Sequence, residues 1–165
     1  MSLYTLNQKR KIMKNKLNLG DLLYRSKLFV EHAGIYLGSD RVLHNSPDGN
    51  VQICTLDEYS AGKPIKVILN QLSKEKQNEL LHQAEQLISQ AKHYGILSFN
   101  CEHLASSVLS GSSTSEQLQG VGLGAAAGLL LAYSNKSKYS FLFLLAGGLI
   151  GCMAVNASRK YDFSI

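Results

Sequence analysis

No two of the three cysteines, Cys54, Cys101 and Cys152, form a CxxC pair, and they fall in three unlike contexts. That argues against a disulfide framework or a zinc site and leaves a reduced, cytosol-facing thiol as the expected state. No helix-turn-helix, zinc pattern or basic–aromatic sheet signature is present, so nucleic acid is not an expected partner. No apolar run follows the basic start of the chain, so a secretory signal is not expected. Acidic residues are missing from 119–155, where Lys136 and Lys138 are the only charges. That shift in composition marks a boundary near residue 112.

What is present suits one domain with a real core and an apolar appendage. The chain has 165 residues, 45% hydrophobic and 18% charged. Its net charge of +5 gathers in the N-terminal run Lys9, Arg10, Lys11, Lys14, Lys16 and in a tail with Arg159 and Lys160. Basic flanks beside apolar segments suit an anionic membrane surface; a solvated, frayed terminus is the plainer reading. The expected organisation is a basic segment (1–16), a folded domain (17–111), a polar linker (112–117), an apolar hairpin (118–156) and a basic tail (157–165).

Strands are expected at 19–25, 28–38, 41–46, 51–59 and 64–69, from alternation and β-branched content. Alternation in the second puts His32, Gly34 and Tyr36 on one face and Ala33, Ile35 and Leu37 on the other. Apolar residues at 80, 81, 84, 87, 88 and 91 predict an amphipathic helix over 73–93 with Ser73 as its N-cap. Asn100 can cap a further helix that ends at Gly111.

The segments 118–134 and 140–156 are uncharged and joined by the turn "NKSK". As helices of 17 residues they would each be roughly 26 Å long, at the lower edge of a bilayer core of about 30 Å. Gly120, Gly124 and Gly128, with Gly147 and Gly151, recur every four residues and so leave a smooth groove along one face of each helix. Such a groove lets another helix approach closely, and chains could self-associate through it. The alternative is a glycine-rich hairpin buried in a soluble oligomer. "GVGLGAAAG" lacks the preceding strand and following acid of a dinucleotide loop.

The stretch "SFNCEHLASSVL" places Cys101 where the chain turns into a helix. The positive helix end and its unpaired N–H groups favour thiolate over thiol, and they can hold an oxyanion. A nucleophilic thiol also needs a base. His82 and His93 lie on the polar side or end of the long helix. His103 sits two residues from Cys101 and points elsewhere. His32 and His44 lie on neighbouring strands, and a turn at 38–40 would bring them together, one as base and the other orienting it. Spacing alone leaves a core cysteine with surface histidines equally open.

Taken together, "GDLL", "HAGIYLGSDRVLH" and "NCEHLA" resemble the lecithin retinol acyltransferase family, in the permuted branch of the papain-like NlpC/P60 superfamily. The resemblance covers roughly 17–111. It implies an α+β permuted papain-like domain, an antiparallel sheet packed on helices, with a C-terminal hydrophobic helical hairpin added. It also implies Cys101 as nucleophile, His32 as general base and His44 as its orienting partner. Asn100, Glu102, His103 and Tyr36 would stand beside them as oxyanion or supporting groups. The implied chemistry is acyl transfer from a phospholipid ester through an acyl-thioester, with no cofactor or metal. The implied partners are phospholipid and membrane, with the catalytic domain facing the cytoplasm. A thiol amidase or endopeptidase, and a catalytically silent membrane module, are the alternatives. Eukaryotic members usually carry one longer anchor, where this chain has two short glycine-rich segments.

Overall fold

The computed structural model describes residues 12–28, 30–45, 50–89, 101–110 and 114–165, with the side chains of Cys101 and Ser110 outside the description. The described chain divides into two units. One comprises residues up to 26, 32–113 and 160–165; the other comprises 27–31 and 114–159.

The first unit is built on a sheet of six strands: β1 (Leu22–Lys27), β2 (Val30–Gly38), β3 (Arg41–Asn45), β4 (Val51–Thr55), β5 (Ile65–Ile68) and β6 (Phe163–Ser164). Their spatial order is β4-β3-β2-β1-β5-β6. The β2–β3 hairpin turns on Ser39 and Asp40, whose φ of 51° and 62° match a two-residue turn that follows the strand twist. That turn, with an irregularity between Tyr36 and Gly38, sets Gly34 opposite His44. Asp21, fully buried, accepts from the Asn18 and Asn70 N–H groups at 2.7 and 2.8 Å, tying the start of β1 to the segment after β5.

Alternation sorts the core as expected. Ala33, Ile35 and Leu37 pack with Tyr24 and Leu43 under two helices, through Leu80 and Ala84 on one and Leu104, Ala105 and Val108 on the other. Tyr36, Leu23 and Val42 pack on the opposite side with Leu56 and Tyr59.

The strand expected over 51–59 stops at Thr55, and residues Leu56–Ser60 form the short helix α1. The cause is a capping box. Thr55 Oγ1 accepts from the Glu58 N–H, and Glu58 Oε2 accepts from the Thr55 N–H at 2.8 Å. The Thr55 N–H, and next the Thr55 hydroxyl donating to the same Oε2 at 2.9 Å, hold the Glu58 carboxyl below its usual range. The long helix α2 spans Lys74–Ser89; positions 90–93 of the expected helix lie outside the described residues. Helix α3 spans Cys101–Ser110. The segment expected to be a basic tail contributes β6, which pairs antiparallel with β5.

The second unit is a helical hairpin, α4 (Glu116–Ser134) and α5 (Ser140–Ser158). The polar linker expected through 117 ends earlier, because Ser115 caps α4 by accepting from the Leu118 N–H. The two glycine grooves face each other. A β-carbon added at Gly124 would collide with the carbonyl of Gly147, one at Gly120 with that of Gly151, and one at Gly128 with that of Phe143. The outer faces are apolar and exposed, with Leu123, Leu130, Phe141, Leu142 and Ile150 all more than half exposed. Among the described residues, α5 is the one helix long and apolar enough to cross a membrane.

Polar groups gather at the open end of this unit. The Gln117 amide brackets the backbone of Glu31, accepting its N–H at 3.0 Å and donating to its carbonyl at 2.9 Å. Arg159 joins Glu31 at 3.2 Å and Glu116 at 2.8 Å; the Arg159 and Glu31 side chains are buried, and Glu116 is exposed.

Candidate active site

His32 and His44 project from adjacent strands onto one face of the sheet. His32 Nε2 lies 3.0 Å from His44 Nδ1, both residues are buried, and the rings meet edge to face. They are diagonal neighbours, because the register pairs His44 with Gly34.

Tyr59 of α1 forms the floor of the pair. Its ring stacks on His32 at 5.5 Å and meets His44 edge-on at 5.6 Å. Its hydroxyl lies 2.9 Å from the Leu23 carbonyl and 2.6 Å from the His32 carbonyl, so one proton serves acceptors on two strands. Gly34 makes the room. A β-carbon there would stand 2.8 Å from the Tyr59 ring and 2.9 Å from Val42. The "HAGIY" glycine is therefore explained by close packing of an aromatic ring beneath the imidazoles.

Burial, with the Arg25 charge second, pushes His44 down to about 4. His44 is thus neutral across the physiological range and can hold a neighbouring ring without competing for its proton. Arg25 lies over the Tyr59 ring at 5.7 Å. On the far side of His44, the Gln52 amide nitrogen stands 3.1 Å from Nε2.

The remaining expected residues are placed as follows. Cys101 begins α3. Its side chain and Asn100 lie outside the described residues. Glu102 and His103 are buried in the first turn of α3. Tyr36 is buried, and its hydroxyl accepts from the Asp40 N–H at 3.3 Å, which steadies the β2–β3 turn. The apolar side of α3 packs on the Ala33 face of β2, whereas the imidazoles stand with Tyr59 on the other. His82 is on the surface of α2 beside Gln86, and His93 lies outside the described residues. Cys54 is a poor nucleophile, since burial and then Glu58 push its thiol up to about 11. Cys152 is buried in the hairpin, 3.7 Å from the Gln117 amide oxygen.

Sequence reasoning passed over Tyr59, Arg25 and Gln52. Tyr59 was legible in principle, because "TLDE" carries the Thr and Glu of a capping box and so signals a helix start. Arg25 and Gln52 carry no local signal; the sheet register alone brings Gln52 to His44.

These features belong to a recognised class. An antiparallel sheet packed on helices, a buried histidine pair on its second and third strands, and a cysteine opening a later helix describe a papain-like α+β domain. The chain belongs to the lecithin retinol acyltransferase family, whose model matches residues 15–114. It is similar to the human protein "Phospholipase A and acyltransferase 2", at 27% identity over 144 residues, covering 70% of this chain and 86% of the relative.

Proposed function

We propose that this chain is a membrane-associated cysteine acyltransferase and phospholipase A acting on phospholipid acyl esters. The Cys101 thiolate attacks the ester carbonyl, and the N–H groups at the start of α3 hold the oxyanion. The imidazolium of His32 returns its proton to the departing lysolipid oxygen, leaving an acyl-thioester. Water, or an acceptor amine or alcohol, then attacks that thioester with His32 as base. His44 stays neutral and orients His32. Helices α4 and α5 hold the domain at the membrane, with the catalytic unit on the cytoplasmic side. Asn100, Glu102 and His103 support the nucleophile's end of the site.

The observation that carries this reading is the 3.0 Å contact between two buried imidazoles, one of them held neutral, in a chain whose cysteine opens a helix. The reading requires the Cys101 thiol to reach Nδ1 of His32.

Cys101→Ala tests it. Release of fatty acid from phosphatidylcholine should fall at least about 10³-fold, and labelling by an acyl-mimetic thiol probe should vanish, with the circular dichroism spectrum unchanged. Full labelling or undiminished turnover in that variant rejects the proposal. Cleavage of peptidoglycan fragments in place of phosphatidylcholine would move the chain to the amidase reading.

A further inference from the structure

The imidazole pair does not end at His44. Gln52 sits directly opposite His44 in the β3–β4 register, so both side chains leave the same face of the sheet. Its amide nitrogen lies 3.1 Å from His44 Nε2, while His44 Nδ1 lies 3.0 Å from His32 Nε2. Gln52, His44 and His32 therefore form one linear chain of hydrogen bonds.

Protons along such a chain are not independent. A neutral imidazole carries one N–H and one bare nitrogen, and a side-chain amide offers a donor on one side and an acceptor on the other. If the amide NH2 faces His44 Nε2, that nitrogen must be bare. His44 then carries its proton on Nδ1 and donates it to His32 Nε2. His32 in turn carries its proton on Nδ1, and that atom cannot accept another. If the amide oxygen faces His44 Nε2, every direction reverses. His44 holds Nε2–H, its Nδ1 accepts from His32 Nε2–H, and His32 Nδ1 is bare.

The proposed chemistry can use the second arrangement alone. His32 Nε2 is occupied by His44, so a thiol proton must arrive at Nδ1. The imidazolium so formed carries hydrogens on both nitrogens, and its Nε2–H needs His44 Nδ1 as acceptor. The structure sets the amide nitrogen toward His44; a half-turn about the last torsion of Gln52 brings the oxygen to the same place and exchanges the two arrangements, and an amide's two ends are told apart only by the hydrogen bonds they make.

We propose that Gln52 is a positioning residue that sets the tautomers of the histidine pair, its amide oxygen accepting the His44 Nε2–H and so leaving His32 Nδ1 bare. The proton leaves Cys101 Sγ, rests on His32 Nδ1 and returns to the leaving oxygen; the protons of His44 and Gln52 stay where they are. The choice of tautomer and its consequence for rate both rest on the acyl-transfer reading; that the hydrogen-bond chain admits two arrangements, set by Gln52, rests on its geometry.

Gln52 is exposed on β4, at the edge of the sheet, so substitutions there leave the core intact. Gln52→Glu presents acceptors only, and Gln52→Lys presents donors only. The full-length protein, labelled with 15N-histidine, reports the His44 tautomer by NMR. Wild type and Gln52→Glu should both show His44 protonated on Nε2, and Gln52→Lys should show it protonated on Nδ1. On phosphatidylcholine, kcat of Gln52→Lys should fall about tenfold or more, with KM within about twofold. That is smaller than the roughly 10²–10⁴-fold a general base contributes, because His32 remains. Gln52→Glu should keep kcat within about threefold of wild type, since it preserves the acceptor. The same His44 tautomer in all three proteins, or a wild-type kcat in Gln52→Lys, overturns the proposal. A wild type inactive on every acyl ester would sink the acyl-transfer reading, and the spectra alone would then decide the tautomer assignment.

Discussion

At the scale of single residues, the site depends on a histidine that does not titrate where histidines usually do. His44 is held at about 4, against an ordinary value of 6.5. The folded protein therefore binds fewer protons than the unfolded chain between those two values, and stability falls as the pH drops through that window. With these values the loss from His44 alone is about 2 kcal/mol between neutrality and pH 5. Thermal unfolding of wild type and His44→Gln at pH 7 and pH 5 should show it: the wild type loses more stability on acidification than the variant. Equal losses would mean that His44 is not the group responsible. Tyr59 matters for the same reason. Buried beneath both rings, it takes the place of water that would otherwise solvate a charged imidazole.

Elements formed where local chemistry was decisive and differed where it competed with pattern. Residues 51–59 read as one strand because Val51, Ile53 and Cys54 suit a sheet. The Thr55–Glu58 capping box outweighs that pattern four residues before its end. The glycine spacing in α4 and α5 was legible as a groove, and what the groove receives is the sister helix of the same chain. The histidine faces followed from strand alternation and a two-residue turn. The contact to Gln52 did not, because it depends on the β3–β4 register, which alternation within one strand does not give. At Gly124 a β-carbon meets backbone that cannot yield, while at Gly122, on the same helix, it meets open space. Gly124→Ala should thus destabilise the hairpin by about 1–3 kcal/mol. Gly122→Ala should stabilise it by up to about 1 kcal/mol through helix propensity. Thermal melts in detergent would show opposite shifts; shifts of the same sign would count against the close packing.

At the scale of the whole molecule, the hairpin's open end is held by a buried ion pair. Removing one partner of a buried pair leaves the other uncompensated, at roughly 3–5 kcal/mol, whereas an exposed partner contributes about 0–1 kcal/mol. Arg159→Ala should therefore loosen the hairpin far more than Glu116→Ala. Cys152, buried in the hairpin, provides the readout. In a background with Cys54 and Cys101 replaced by serine, Arg159→Ala should speed maleimide labelling of Cys152 at least tenfold, with Glu116→Ala near the parent rate. Equal rates in both variants would show that the pair does not hold the hairpin closed.

The chain leaves the sheet-bearing unit before residue 114 and returns to it at residue 160, where β6 completes the edge beside β5. Both flanks of the hairpin thus belong to one folded body, and a body cannot lie on two sides of a bilayer. Should α5 traverse lipid, α4 must traverse it too, and the Asn135–Lys138 turn emerges on the opposite side. A stop codon placed ahead of residue 114 would then do more than detach an anchor: it would strip Tyr161 from beside Tyr24 and leave the β5 edge bare. A water-soluble enzyme is better sought by splicing out 114–159 and keeping the last six residues.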